Sequence, residues 1–109
     1  MKIKLDKTDS KVIHSNETYD VIDNTNLNNL IVSKTILHEG KETGGHNHKG
    51  QEEVYFFVDG QGQMEIDDNK FDVKAGDVIC IEDGEFHRVH NTGHYGLYFI
   101  CVFDGGRNH

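Results

Sequence analysis

From residue 29 onward, short runs of β-branched and aromatic residues alternate with Gly, Asp and Asn. Runs of this length between turn-forming residues are typical of an all-β sandwich or barrel rather than of βαβ units. No window keeps a 3.6-residue apolar period without a glycine break, so no amphipathic helix is predicted. The predicted strands are Leu30–His38, Val54–Val58, Gln63–Ile66, Lys70–Lys74, Val78–Ile81, Phe86–His90 and Tyr95–Phe103.

The first 28 residues have a different pattern. They are polar and rich in Asn, Asp and Thr, with short apolar pieces at Lys11–His14 and Tyr19–Ile22. We interpret residues 1–28 as an N-terminal arm with edge strands and residues 29–109 as the barrel. A chain of 109 residues can form one modest core but not two, so both parts are expected to belong to one domain.

The charge balance narrows the range of partners. The formal net charge is −8, and a chain this acidic does not attract a phosphate backbone, so nucleic acid is excluded as a partner. No apolar run reaches the length needed to cross a bilayer, which excludes a membrane partner. The start of the chain carries lysines but no apolar stretch behind them, so no signal peptide is predicted and the expected location is cytoplasmic.

Eight histidines in so short a chain direct attention to metal binding. His46 and His48 are two residues apart, which on a strand would place both imidazoles on one face. Glu53 follows after a short polar connection containing Gly50, which allows the chain to turn and bring a carboxylate back toward them. His87 lies on a short strand that opens after the turn at residues 83–85.

Three imidazoles and one carboxylate, from His46, His48, Glu53 and His87, suit one divalent transition metal ion: Mn, Fe, Zn, Ni or Cu. The absence of thiolate argues against a closed structural zinc site. Four protein ligands on a six-coordinate ion leave two positions for water, substrate or O₂. Cys80 and Cys101 are predicted to be buried small apolar side chains rather than a disulfide or ligands.

Two spaced motifs resemble those of the cupin superfamily. The first is Gly40-x5-His46-x-His48-x4-Glu53-x6-Gly60. The second is Gly76-x5-Glu82-x-Gly84-x2-His87-x3-Asn91, in which Glu82 stands where the family usually has proline. The short gap between the motifs resembles the small single-domain cupins of the phosphomannose-isomerase-like type.

The resemblance implies a double-stranded antiparallel β-barrel, or jelly roll, with the metal inside its mouth. It also implies a homodimer, in which the N-terminal segment and the last strand are the expected interface. The alternative for that strand is a place inside one barrel wall.

Fold does not determine function in this family, so three hypotheses stay open. The first is a metal-dependent isomerase of a sugar or sugar phosphate, with Tyr55 and Glu52 as the named catalytic candidates and His90 and His94 as others. The second is an Fe(II)-dependent dioxygenase or a decarboxylase of a small carboxylate. The third is a non-enzymatic module that binds or senses a small polar ligand.

Overall fold

The computed structural model describes residues 1–47 and 49–105, and in that part of the chain it contains nine strands. The strands are β1 (Lys11–Ser15), β2 (Tyr19–Asn24), β3 (Leu30–Leu37), β4 (Glu53–Asp59), β5 (Gln61–Ile66), β6 (Asn69–Lys74), β7 (Val78–Ile81), β8 (His87–Asn91) and β9 (Leu97–Asp104). As the pattern predicted, the described residues form no helix, and therefore none long and apolar enough to cross a membrane.

The strands form two antiparallel sheets. The larger has the order β1-β2-β3-β9-β4-β7 and the smaller the order β6-β5-β8. β9 pairs with β3 along its whole length and with β4 on its other side, so it lies inside the wall of the larger sheet. The inner faces of both sheets contribute to one core, which is the jelly-roll arrangement. The predicted fold class is confirmed.

The predicted strands agree closely with those observed. Val78–Ile81 matches β7, and the other predicted strands from residue 30 onward end within two residues of the observed bounds. The largest differences come from polar and small residues that the apolar pattern could not place. Gln61 and Gly62 extend β5 because they pair with Lys74 and Val73 of β6.

The N-terminal strands belong to the larger sheet. β2 pairs with β3 along its whole length, from Tyr19 opposite Leu37 to Asn24 opposite Val32. The buried Asn24 amide donates hydrogen bonds to Asp9 O at 3.0 Å and to the Ser10 hydroxyl at 3.1 Å, which ties the preceding residues to the sheet. Because β2 pairs with β3 along its whole length, its inward side chains form part of the interior of the molecule.

The core occupies one end of the barrel. The largest side chains with almost no exposure are Phe57, Phe99, Leu37, Met64, Leu97 and Val89. A Cβ at Gly62 would collide with the His90 carbonyl oxygen, so only glycine allows β5 and β8 to pair there. Cys101 is buried, as predicted. Cys80 is exposed, contrary to prediction, because strand alternation places it on the outer face of β7.

Candidate metal centre

Glu53 is the first residue of β4 and is buried on the inner face of the larger sheet. It lies opposite Ile81 of β7 and Phe103 of β9. Tyr55 and Phe57 follow on the same face at the two-residue strand period. The carboxylate is thus fixed at the end of β4 where the apolar core stops.

His46 and His87 are held opposite each other by backbone hydrogen bonds. The N–H of His46 donates to His87 O at 3.1 Å, and the N–H of His87 donates to His46 O at 3.0 Å. Two further bonds, from Thr43 N to Val89 O and from Asn91 N to Lys41 O, continue this pairing along β8. His46 thus lies in an isolated bridge rather than in the strand expected from its spacing to His48. His48, the fourth predicted ligand, lies outside the described residues.

Glycine is required directly before His46. Gly45 has a φ of +72°, a left-handed backbone conformation that costs other residues free energy. A Cβ at this position would lie 2.7 Å from Phe86 Cζ and 2.9 Å from Arg88 Nε. The Arg88 guanidinium also donates to Gly44 O at 3.2 Å. The segment that carries His46 therefore fits tightly against the outer side chains near the start of β8.

Three donor groups converge in this region. The donor atoms of His46, Glu53 and His87 all lie within 4.8 Å of one another. Glu53 Oε1 is 3.3 Å from His87 Nε2 and 3.8 Å from His46 Nε2. Ligands about 2.1 Å from one ion at neighbouring octahedral positions are about 3 Å apart, so these separations fit a shared metal ion.

The hydrogen bonding of His87 supports the same conclusion. Its Nδ1 lies 3.1 Å from Glu85 O, and because a carbonyl can only accept, Nδ1 is the donor. Nε2 is buried and makes no well-aligned hydrogen bond, although it faces the Glu53 carboxylate. When the imidazole is neutral, this tautomer leaves a lone pair on Nε2, and a cation bound between Nε2 and the Glu53 carboxylate would accept both groups as ligands. The residues present therefore fit a divalent metal ion.

Electrostatics keep Glu53 ionised. Burial raises the pKa of its carboxyl, but the polar contacts with the His46 and His87 imidazoles and the charges these carry when protonated outweigh that effect and lower the pKa to about 2. For His87, burial lowers the pKa, whereas the contacts with Glu53 and with Glu85 O raise it, and the net direction is upward. An anionic carboxylate beside imidazole nitrogens is a donor set that suits a divalent transition metal.

The centre opens into a cavity of about 520 Å³, a size typical of small-molecule sites. His46 and Glu53 line its metal side, and Lys49 and Gln51 also line it. The wall that β2 and β3 form carries polar side chains, namely Asp23, Ser33 and Thr35. Sequence reasoning missed this wall, although Ser33 and Thr35 stand at inward positions of β3, where alternation predicts apolar residues.

The two predicted catalytic residues lie in different surroundings. Tyr55 is buried beside the site, with its ring centroid 5.7 Å from that of His87. Burial raises the pKa of its hydroxyl well above the ordinary value, so at neutral pH this group is a proton donor rather than a base. Glu52 has the opposite strand parity to Glu53, is exposed, and is not among the residues that line the cavity. The catalytic role of either residue stays a prediction.

The two other histidine candidates lie away from the cavity. His90 Nδ1 is 3.0 Å from Glu42 Oε2, and its Nε2 contacts Glu65 Oε1. Because the two carboxylates meet opposite sides of the ring, they cannot share one ion with it. His94 is exposed beside a separate surface depression. His90 therefore links the segment before His46 to the smaller sheet.

A jelly-roll barrel with a histidine and carboxylate centre in its mouth defines a class of small metal-binding β-barrel proteins. The cupin domain model matches residues 33–103, so the chain belongs to the cupin family. This match shows the family but not the phosphomannose-isomerase-like subtype, which stays a prediction.

Two curated relatives are each 36% identical to the chain. One is an uncharacterized protein of Methanocaldococcus jannaschii, aligned over 70 residues, which are 64% of this chain and 56% of that protein. The other is the oxalate-binding protein of Thermotoga maritima, aligned over 72 residues, 66% of this chain and 60% of that protein. The chain thus spans a little over half the length of the curated relatives it matches.

Among solved structures, the chain resembles a protein of Thermotoga maritima described as a predicted oxalate decarboxylase. The sequence identity is 25% and the TM-score is 0.76, with 95% of this chain and 98% of that chain covered. The similarity extends beyond the motifs, since it includes nearly the whole of both chains.

Proposed function

We propose that this protein binds a small carboxylate at a divalent metal ion held by His46, Glu53 and His87, with His48 as the predicted fourth ligand. The observation that carries the proposal is the buried Nε2 of His87, which has no hydrogen-bond partner among the described residues and lies 3.3 Å from the ionised Glu53 carboxylate, beside an open cavity. The oxalate-binding relative and the structural neighbour described as an oxalate decarboxylase support a carboxylate as the ligand.

A divalent ion at this centre would act as a Lewis acid toward the carboxylate oxygens. The chain's own residues complete the site. The protein is acidic overall, so an anionic ligand needs local positive charge, and the Lys49 ammonium lines the cavity. Gln51 also lines the cavity, and its side-chain amide donates to Asp104 O, which holds it in place. Phe99 and Phe103 give the site an apolar lining that strengthens charged contacts inside it.

We favour the carboxylate-binding hypothesis over the sugar isomerase hypothesis. Both need a divalent ion, but no relative described above is named for a sugar, whereas two are named for oxalate. Binding alone and decarboxylation of a small dicarboxylate are the two forms of the proposal. In the second, with oxalate as the substrate, the bond between the two carboxyl carbons breaks and CO₂ leaves, and the electron pair that stays on the other carbon takes a proton to give formate. Tyr55 is a buried proton donor that lines the cavity beside His87, so it is our candidate for this proton transfer.

The test begins with metal analysis of protein from its native host, because expression hosts can load another ion. Oxalate is then titrated calorimetrically into Mn²⁺-loaded wild type, the His87→Ala variant and the exposed-histidine control His94→Ala. We expect one metal ion per chain and oxalate binding in wild type and control, with both lost in His87→Ala. Full metal occupancy in His87→Ala would contradict the ligand assignment.

Product analysis separates the activities. Release of CO₂ and formate from oxalate supports the decarboxylase form, and O₂ uptake on substrate addition supports a dioxygenase. Interconversion of a ketose and an aldose phosphate would restore the isomerase hypothesis. Oxalate binding with no turnover supports the binding form.

We also propose that the protein forms a homodimer, through the outer face of β4 and β7 rather than through the N-terminal segment and the last strand that the resemblance implied. Exposed apolar side chains cluster on this face, namely Val54, Phe56, Val58 and Val78. Val54 and Phe56 lie directly opposite Cys80 and Val78, so the patch continues across both strands. Light scattering should give twice the chain mass for wild type and for Tyr95→Glu, which alters an exposed ring elsewhere, but a monomer for Phe56→Glu. A monomeric wild type at micromolar concentration contradicts this proposal.

A further inference from the structure

A row of polar side chains crosses the inner face of the larger sheet toward the metal centre. In the strand register, Asp23 of β2 lies opposite Ser33 of β3, Ser33 opposite Cys101 of β9, and Cys101 opposite Tyr55 of β4. Tyr55 is two residues from Glu53 on the same face. The row therefore connects the N-terminal wall of the cavity with its metal side.

Asp23 occupies an unusual position for an acidic residue. It is half-buried and lines the cavity, and its Oδ1 is buried without a hydrogen-bond partner among the described residues. A buried polar oxygen without a partner lowers stability, so its presence calls for an explanation. Ser33 and Thr35, on the neighbouring strand, add two hydroxyl groups to the same wall of the cavity.

The distance across the cavity restricts what can join the two walls. β2 and β4 are separated by three strand spacings, or about 14 Å along the sheet, which the barrel curvature shortens for inward side chains. From this spacing we infer that a two-carbon dicarboxylate bound at the metal would not extend to Asp23. The cavity volume of about 520 Å³ also exceeds what so small a ligand fills.

We propose that Asp23, together with Ser33 and Thr35, forms a second binding point that accepts a hydrogen bond from a hydroxyl group at the far end of a hydroxycarboxylate. This inference rests on the proposed carboxylate site and names its substrate class. The ligand carboxylate lies at the metal side, and its hydroxyl groups meet the N-terminal wall. Rotation of the Asp23 carboxylate about χ2 has a low barrier, so either oxygen can accept the bond. A second carboxylate in the ligand would instead meet the like charge of Asp23.

The test compares two probes of different length. Gluconate, a six-carbon polyhydroxy monocarboxylate, and oxalate are each titrated into Mn²⁺-loaded wild type, Asp23→Ala and Asp68→Ala. Asp68 is exposed at the β5–β6 turn, so this control makes the same charge change away from the cavity. We expect Asp23→Ala to weaken gluconate binding about tenfold or more, the usual size of a lost hydrogen bond to a charged group, and to leave oxalate binding unchanged.

The outcomes separate the two proposals. If wild type and Asp23→Ala bind gluconate equally while both bind oxalate, the role of Asp23 is overturned and the carboxylate site stands. If wild type binds neither probe, both proposals are overturned. Asp23→Asn keeps an acceptor oxygen but loses the charge, so its affinity for gluconate should lie between those of wild type and Asp23→Ala.

Thermal unfolding of the metal-free protein gives a second readout. Because Asp23→Ala removes an unpaired buried oxygen, its melting temperature should equal or exceed that of wild type. A melting temperature several degrees lower would identify Asp23 as a structural residue and overturn the proposal.

Discussion

The two ends of the barrel interior are built from the same strands but differ in character. On β4 the inward residues change from Glu53 through Tyr55 to the fully buried Phe57. On β8 they change from His87 to Val89. One end is therefore closed by apolar packing, whereas the other carries charged and hydroxyl groups around a cavity.

This difference shows how a small protein can place the residues that stabilise its fold apart from the residues that form its candidate site. Burial of apolar area at the closed end provides the main favourable term in folding. The open end includes two buried polar atoms, Asp23 Oδ1 and His87 Nε2, that have no hydrogen-bond partner within the described part of the chain, and such atoms lower stability. Because strands run through both ends, the packed half holds the polar half in position. Substitutions in each half should therefore affect different measurements.

The largest effect is expected for Phe57→Ala at the closed end. The Phe57 ring is completely buried and packs against Phe99, with centroids 5.4 Å apart. Loss of a buried aromatic side chain costs about 3–5 kcal/mol, a large part of the stability of a domain this size. Denaturant titration should show this loss, and metal binding should disappear with the fold. A loss below 1 kcal/mol would contradict the assignment of the closed end as the stabilising half.

The next largest effect is expected for His87→Ala at the open end. Removing a metal ligand should weaken metal binding more than about 100-fold, because even residues that only orient ligands contribute 10- to 100-fold. The metal-free variant should stay folded, since the change removes only the hydrogen bond to Glu85 O and the contact with Glu53 and leaves the apolar packing of the closed end intact. Added Mn²⁺ should raise the melting temperature of wild type and of His94→Ala but not of His87→Ala. An unfolded metal-free variant would show that the two halves are not separable.

A smaller effect is expected for Gly45→Ala, which lies between the halves. The left-handed backbone at Gly45 and the contacts with Phe86 and Arg88 both oppose a Cβ. We expect a loss of about 1–2 kcal/mol in stability and weaker metal binding, because His46 follows directly. Gly44→Ala is the matched control, since a Cβ there meets nothing within 4 Å. Equal metal affinities in the two variants would contradict the positioning role of Gly45.

The smallest effect is expected on the outer surface, at the His38–Asp20 pair. Hydrogen bonding to Asp20, and then to Glu17 O, raises the pKa of His38 above 6.5, and bonding to His38 and Ser15 lowers the pKa of Asp20 below 3.8. The histidine contribution is complete below pH 6.5 and is lost as the pH rises through the raised value. The aspartate contribution is present above pH 3.8 and is lost as the pH falls.

The pair should therefore stabilise the fold most between about pH 3.8 and 6.5. The difference in melting temperature between wild type and His38→Gln should be larger at pH 5.5 than at pH 8.5. His94→Gln serves as the exposed control. A difference that does not change with pH would show that the pair contributes no charge interaction.

The amino-acid pattern is sufficient to predict the fold class and to select three of the residues that the structure brings together at the candidate metal centre. Turn residues between short apolar runs place most strands, and motif spacing selects His46, Glu53 and His87, which the structure brings together. Strand parity also separates Glu52 from Glu53, because Tyr55 and Phe57 share the buried face with Glu53 alone. Turn positions, motif spacing and strand parity depend on residues close together in the chain, so short stretches of sequence are enough to predict them.

Features that depend on pairing between distant strands could not be predicted. Asp23 reaches the cavity only because β2 pairs with β3 in one register, which no nearby residue indicates. His46 is positioned by bonds to His87, 41 positions later in the chain, rather than by alternation with His48. Such long-range pairing depends on the register of the whole sheet, so a short stretch of sequence does not predict it.

The position of β9 also determines when the molecule can fold. β9 separates β3 from β4, so the strand that carries Glu53 has no lasting connection to β2 and β3 until residues 97–104 have been synthesised. During translation the earlier strands would expose unpaired edges, a state prone to aggregation. Because these pairings close long loops, the domain should fold slowly for its size and in a single late step.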